Sequence, residues 1–284
     1  MEKQRDFKFF SGFILKVMAI IFMTFDHIGV VLHQSGISGD FATILRIFGR
    51  LAFPLFIFLL VEGVRHTKSI GKYFLRLGIL AFAFFLGQLF YYLFVSKDMT
   101  GMYSPVIDLL LTACAVYLLK RKDKLSFLAL LPIAWSILVL IVRNYEINNF
   151  AEIKWVPFFL RPDYQIYGPL LGIGFYYSFE LAPLFLKSNE GTKDLTETTY
   201  EQTTANVMSA IVLILLTIAI IFVDRNAMHT YFSMPWQAYS LFAFIPILFY
   251  SGKRGYNAKW FQYGCYIYFP MHLIIIFGLF TLLF

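Results

Sequence analysis

The chain has 284 residues, of which 59% are hydrophobic, 20% aromatic and only 14% charged, and its mean hydropathy is +0.69. Soluble domains carry about 45–50% apolar and about 25% charged residues, so these values exclude a soluble globular domain and indicate an integral membrane protein. The net charge of +7 is spread over short loops instead of forming one patch, which argues against a nucleic-acid partner and fits the Lys/Arg bias of membrane loops.

A bilayer is crossed by about 20 apolar residues in a helix. The sequence predicts an all-α polytopic protein with about nine transmembrane helices: Phe13–Leu32, Ile47–Gly63, Phe74–Val95, Val106–Leu119, Leu125–Val142, Ile166–Leu186, Val207–Val223, Tyr239–Tyr250 and Phe261–Phe284. The fourth and eighth are short and are expected to extend into their flanks. The basic start MEKQRDFK precedes a full-length helix, which reads as a retained span and not a cleaved signal. Tyr145–Tyr164, with its KWVPFFL run, is read as either re-entrant or interfacial. Ser188–Asn206 (SNEGTKDLTETTYEQTTAN) lacks apolar periodicity and is expected to be a flexible cytoplasmic linker within a single domain, 1–284. No internal repeat and no Gly-rich phosphate loop occurs. Cys114 and Cys265 sit in apolar segments without a partner motif and read as packed small hydrophobes.

Orientation follows from Lys and Arg. With the N-terminus inside, sixteen of the 24 fall in inner loops, in the groups Lys3–Lys8, Arg65–Arg76, Lys120–Lys124, Lys187–Lys193 and Lys253–Lys259. Cytoplasmic loops carry such an excess, so N-in with C-out is expected, in a bacterial cytoplasmic (inner or single) membrane with lipids as its surroundings.

Ionisable residues at membrane depth are costly and mark functional sites. Asp26 and His27 lie about 20 Å into the first helix by the rise of about 1.5 Å per residue. Arg50 on the second helix and Asp108 at the start of the fourth lie at comparable depth. Neighbours on a helix point about 100° apart, so Asp26 is placed to pair with Arg50 rather than to orient His27, and Asp108 is the candidate orienting carboxylate. The bland alternative is a structural Asp26–Arg50 ion pair, with His27 bonded to a carbonyl. His272, in YIYFPMHLIII, lies about 16 Å into the last helix, beside Pro270, which frees a backbone carbonyl; it reads as a second candidate base or a satisfied buried histidine. At the inner face Glu62 and His66 share a helix side at i, i+4. With Arg65, Lys68, Lys72 and Arg76 they form a cluster suited to phosphates, although positive-inside topology also explains the charges. No metal-ligand spacing occurs.

Three stretches resemble the TraX family, whose founding members acetylate conjugative pilin: LKVMAIIFMTFDHIG (Leu15–Gly29), RIFGRLAFPLFIFLLVEGVRHT (Arg46–Thr67) and YIYFPMHL (Tyr266–Leu273). YGPLLGIGFY (Tyr167–Tyr176) and the SGKRG turn (Ser251–Gly255) agree. The resemblance implies a membrane acetyltransferase that takes acetyl-CoA as acyl donor, without metal, and modifies an acceptor at or beyond the outer side. That acceptor is a protein N-terminus or other peptide amine, a glycan or a lipid head group. The matching site positions are Asp26, His27, Arg50, Glu62, His66 and His272. A proton-coupled secondary transporter is the competing reading; such folds often carry paired repeats with broken helices, and none is visible.

Overall fold

The computed structural model describes residues 9–37, 39–94, 103–150, 153–187, 197–223, 230–232 and 234–283. These form ten α-helices: α1 Gly12–Gln34, α2 Asp40–Gly49, α3 Ala52–His66, α4 Ile70–Phe94, α5 Pro105–Arg121, α6 Leu130–Asn149, α7 Tyr167–Lys187, α8 Glu197–Val223, α9 Phe244–Leu248 and α10 Lys259–Leu283. Short 3₁₀ turns join some of them, and the β structure among the described residues is one antiparallel two-residue pair, Thr230–Tyr231 with Met234–Pro235, plus isolated bridges. The architecture is all-α, as the composition implies.

All nine expected segments fall on helical elements, but six have the length and hydropathy of a membrane span by themselves: Gly12–Gln34, Asp40–His66, Ile70–Phe94, Lys124–Asn149, Tyr200–Val223 and Lys259–Phe280. The other three are α5 with 17 residues, α7, which carries Glu180 and Pro183, and Trp236–Leu248. They differ for a packing reason. Asp108, Thr112 and Val116 of α5 and Tyr167, Leu171 and Phe175 of α7 are buried against other helices, and an enclosed helix can be shorter or more polar than one that faces lipid.

The second expected span is longer than predicted and broken. It runs from Asp40 to His66, with α2 ending at Gly49 and α3 starting at Ala52. Pro54 has no N–H to give the carbonyl of Arg50, four residues earlier. The Arg50 N–H itself is shared between the carbonyls of Arg46 and Ile47, at 3.3 and 3.2 Å. Arg50 therefore sits at the joint. α3 is the most enclosed helix, packed by α1, α5 and α7, with Leu55, Ile57, Phe58, Val61 and Val64 fully buried. α10 is peripheral and buries Phe269, His272 and Ile276, one stripe at i, i+3, i+7.

The described basic groups around Arg65, Lys120 and Lys253 gather at one end. Lys120 Nζ donates to the carbonyls of Val64 and Arg65, at 2.9 and 2.7 Å, which closes the C-terminus of α3. Lys122 pairs with Glu180. The start of α1 is stitched to the turn after α9 by Gly12 N–H to the Lys253 carbonyl (2.8 Å) and Phe13 N–H to the Arg254 carbonyl (2.9 Å).

Two connections differ in extent from the expected segments. Of the stretch read as a linker, residues 188–196 lie outside the described residues, while 197–206 form the first turns of α8. Tertiary contacts outweigh the weak helix propensity of its threonines: the Asn206 amide is buried and donates to the carbonyls of Leu248 (3.2 Å) and Tyr250 (2.7 Å). In Tyr145–Tyr164, the first residues complete α6 and 153–164 form an irregular loop with one three-residue turn, Phe158–Leu160. Arg161 holds that loop. Its guanidinium donates to both Glu146 carboxylate oxygens (3.2 and 3.1 Å) and to the Ile153 and Val156 carbonyls.

Candidate functional site

The site starts where α1 and α2 cross. A Cβ on Gly49 would run into Asp26 Cβ, and one on Gly29 would lie 2.7 Å from Arg46 Cγ. Only glycine permits that approach, and the approach brings two arginines to one carboxylate. Arg50 Nη2 donates to Asp26 Oδ2 at 2.5 Å, and Arg46 Nε stands 3.6 Å from Asp26 Oδ1. The side chains of all three are at most 14% exposed. Both guanidiniums also lie over the Trp236 ring, 3.8 Å (Arg46) and 4.2 Å (Arg50) from its centroid, where the π face attracts cations. The expected Asp26–Arg50 pair is present, and sequence reading missed its two companions. Arg46 was legible as the residue four before Arg50 on the same helix face. Trp236 lies just before the eighth predicted segment, Tyr239–Tyr250, and gave no signal.

One residue on from Asp26, His27 turns toward α10. The two expected histidines meet, with His272 Nε2 3.0 Å from His27 Nδ1 and ring centroids 4.8 Å apart at 64°. Each Nδ1 also faces the carbonyl one turn earlier in its helix, Met23 O at 2.9 Å for His27 and Tyr268 O at 3.0 Å for His272. A second bond clamps the helices one turn below. Thr24 donates its hydroxyl to the Ile20 carbonyl (2.8 Å), so Tyr268 is the donor in the 2.7 Å contact between the Tyr268 and Thr24 hydroxyls. The Tyr268 ring stacks on His272, 5.3 Å between centroids and 13° apart. His272 is 1% exposed, on a helix most of whose residues face outward.

Asp108 departs from expectation. It is fully buried, but its carboxylate accepts the backbone N–H groups of Asp163 (2.7 Å) and Tyr164 (3.2 and 3.1 Å). It anchors the loop before α7 and is not brought to His27. Its effect on the site is indirect: Tyr164, thus fixed, stacks on Phe53 at 3.6 Å and lies 5.9 Å from the Arg50 guanidinium. Tyr164 is half-buried, and that burial pushes its phenol above the ordinary tyrosine value.

At the basic end a cavity of about 680 Å³ opens between α1, α3, α4 and α10. His66, Lys68, Lys72 and Arg76 line it as expected, joined by Lys16 and Arg254, which the sequence reading left out of the site. Lys16 was visible as a lone cation near the inner end of an apolar helix; Arg254 arrives through the α9–α10 turn. Two expected members behave otherwise. Arg65 is absent from the lining: it donates to Glu62 Oε1 at 2.6 Å and lies 4.0 Å over the Phe179 ring, on the α7 side of α3. Glu62 lines the wall, but it accepts from Arg65 and from the Tyr250 hydroxyl (2.9 Å) with His66 Nε2 at 3.7 Å. It braces the cations and carries the wrong charge to hold a phosphate.

Away from its mouth the cavity becomes apolar, with Ile20, Phe56, Leu80 and Phe269. Phe269 is three residues, about 4.5 Å of helix rise, from His272. Its ring centroid is 6.1 Å from that imidazole and 5.8 Å from the Phe56 ring. Polar mouth, apolar throat and histidine pair thus follow one another along α10, with Phe269 separating throat from pair.

The TraX protein family profile matches residues 11–182. The chain belongs to the TraX family. The matched region holds Asp26, His27, both arginines and the cavity residues of α1, α3, α4 and α5, while His272 lies beyond it and joins the site through the 3.0 Å imidazole contact. Over 89 residues this TraX-family chain is 42% identical to the probable fimbrial assembly protein FimC, serogroup H1, of Dichelobacter nodosus. That stretch is 31% of this chain and 34% of the relative, so the match spans about a third of the relative's length. No solved structure matches.

Proposed function

We propose that this TraX-family protein is a membrane acetyltransferase that moves an acetyl group from acetyl-CoA, entering at the basic end, to an acceptor reached from the opposite side. The observation that carries this reading is the cavity that joins a cationic mouth to a throat ending one helical turn from two paired histidines. A phosphorylated head with a long, weakly polar arm and a reactive tip fits that order of surfaces. Lys68, Lys72, Arg76 and Arg254 would take the phosphates through charge-assisted hydrogen bonds. The arm would lie along Ile20, Phe56 and Leu80, and Phe269 would have to swing for the thioester to reach the imidazoles.

The chemistry asked of the pair is proton transfer. The acceptor amine or hydroxyl gives its proton to an imidazole as its heteroatom attacks the acetyl carbonyl carbon. The carbon–sulfur bond then breaks, and the sulfur leaves as CoA thiolate and takes the proton back. Arg50 is committed to Asp26 and Trp236, so its part is to fix the α1–α2 crossing that aims His27, not to reach the acetyl oxygen. Lys/Arg bias puts the basic end in the cytoplasm, where acetyl-CoA is made. Among the acceptor classes, the relative named as a fimbrial assembly protein favours a subunit of a surface appendage.

Purified protein in lipid, given acetyl-CoA, should bind CoA competitively and release free thiol only when an acceptor is present. Binding of CoA without any thiol release across peptide, glycan and lipid acceptors would favour a carrier and count against the transferase.

A further inference from the structure

We infer that His27 is the base, acting through Nε2, and that His272 is a positioning residue that, together with the Met23 carbonyl, holds its Nδ1–H and aims its ring; this assignment of roles rests on the transferase reading above. A carbonyl oxygen only accepts, so each ring nitrogen that faces one must carry a hydrogen. Tyr268 O at 3.0 Å puts the proton of a neutral His272 on Nδ1, which leaves Nε2 as a lone pair. Met23 O at 2.9 Å puts the proton of His27 on Nδ1. The 3.0 Å contact between His27 Nδ1 and His272 Nε2 then has one sense: His27 donates, sharing its hydrogen between Met23 O and the His272 ring. With both rings neutral, no other assignment satisfies both carbonyls.

The consequence is an asymmetry that the two helices do not show by themselves. His27 Nε2 is the remaining lone pair, and it makes no hydrogen bond among the described residues. His272 has both nitrogens committed and is 1% exposed; it can only orient. When His27 Nε2 takes the acceptor's proton, the imidazolium still donates from Nδ1 to the His272 lone pair. His272 thus adds a second acceptor, from another helix, to the Met23 carbonyl at His27 Nδ1, and so holds the direction of the ring. The Tyr268 ring stacked on His272 and the Tyr268–Thr24 bond hold its ring plane.

The test reads tautomers directly, by nitrogen-15 spectra of the full chain labelled at its five histidines in lipid, assigned by loss of signals in His27→Ala and His272→Gln. The expected result is Nδ1–H with bare Nε2 for both residues at neutral pH; an Nε2–H tautomer of either overturns the inference. In acetyl transfer, His272→Leu should lower kcat by about 10- to 100-fold with KM for acetyl-CoA unchanged, and His272→Gln, which keeps an acceptor oxygen, should recover part of the loss. His272→Asp should move the acid limb of the pH–rate profile upward, because a carboxylate stabilises the imidazolium more than a neutral ring does. Equal rates in wild type, Leu and Gln variants, or an active His27→Ala beside a dead His272→Leu, would reverse or remove the roles. The spectra need no acetyl transfer, so expected tautomers without any transfer would sink the transferase reading and leave the placement standing.

Discussion

Asp26 serves two cations, and that asymmetry sets what its removal should cost. Asp26→Asn leaves Arg46 and Arg50 buried together over one Trp ring with no anion between them. Breaking a buried pair by deleting one partner costs about 3–5 kcal/mol, and the upper half of that range is expected because two charges lose their partner. Arg50→Gln removes the 2.5 Å contact but leaves Arg46 at 3.6 Å. At an effective dielectric near 20 that remaining pair keeps a gross attraction of about 4–5 kcal/mol, so the substitution should cost less, about 1–3 kcal/mol. The double variant should be milder than the sum of the two by about 1–3 kcal/mol. Unfolding by titration from mild detergent into SDS, followed by tryptophan fluorescence, gives the four free energies. Additivity within about 0.5 kcal/mol, or a larger cost for Arg50→Gln than for Asp26→Asn, would refute the shared-carboxylate reasoning.

Three further outcomes are expected. Replacing Lys72 and Arg76 by Gln should raise KM for acetyl-CoA with kcat at saturation largely kept; a pure kcat loss would take the donor out of the cavity. Gly49→Ala should destabilise by about 1–3 kcal/mol despite alanine's better helix propensity, because its Cβ would meet Asp26 Cβ and Cα and not a yielding side-chain tip; a stabilised variant, measured by the same SDS titration, would deny the close crossing. A reporter fused after Phe284 should be active only as an extracytoplasmic probe if the chain is N-in and C-out with nine spans, whereas activity as a cytoplasmic probe would mean an even number of crossings.

Much of the architecture is legible because lipid leaves little choice: a long apolar run must satisfy its backbone internally, so it becomes a helix. The break at Arg50 is readable from Pro54, although the run around it is strongly apolar. The enclosed helices were harder: α5 is only 17 residues long and α7 carries Glu180 and Pro183, so length or hydropathy marks them less clearly than α1. The Asp26–Arg50 pair followed from depth and from the 100° turn between neighbours. The meeting of His27 and His272 needs the packing of α10 against α1, which no local pattern encodes. Depth placed Asp108 with the other charges, yet depth says nothing of direction around the helix axis, and its carboxylate turns to the loop before α7. Arg65 fails for the same reason: it turns to the α7 side of α3, while Lys68 in the following turn and Lys72 and Arg76 on α4 line the cavity.

The central claim is acetyl transfer through the histidine pair, and one measurement addresses it most directly. Membranes carrying the wild-type chain or His27→Ala are given acetyl-CoA labelled in the acetyl group, and label on an acceptor is counted against free CoA released. Wild type should transfer label and release CoA in equal amounts. His27→Ala should lose about 10²–10⁴-fold in rate while CoA still binds. Full transfer by His27→Ala and by His272→Ala alike would contradict the histidine mechanism, and no label on any acceptor from the wild type would contradict the transferase itself.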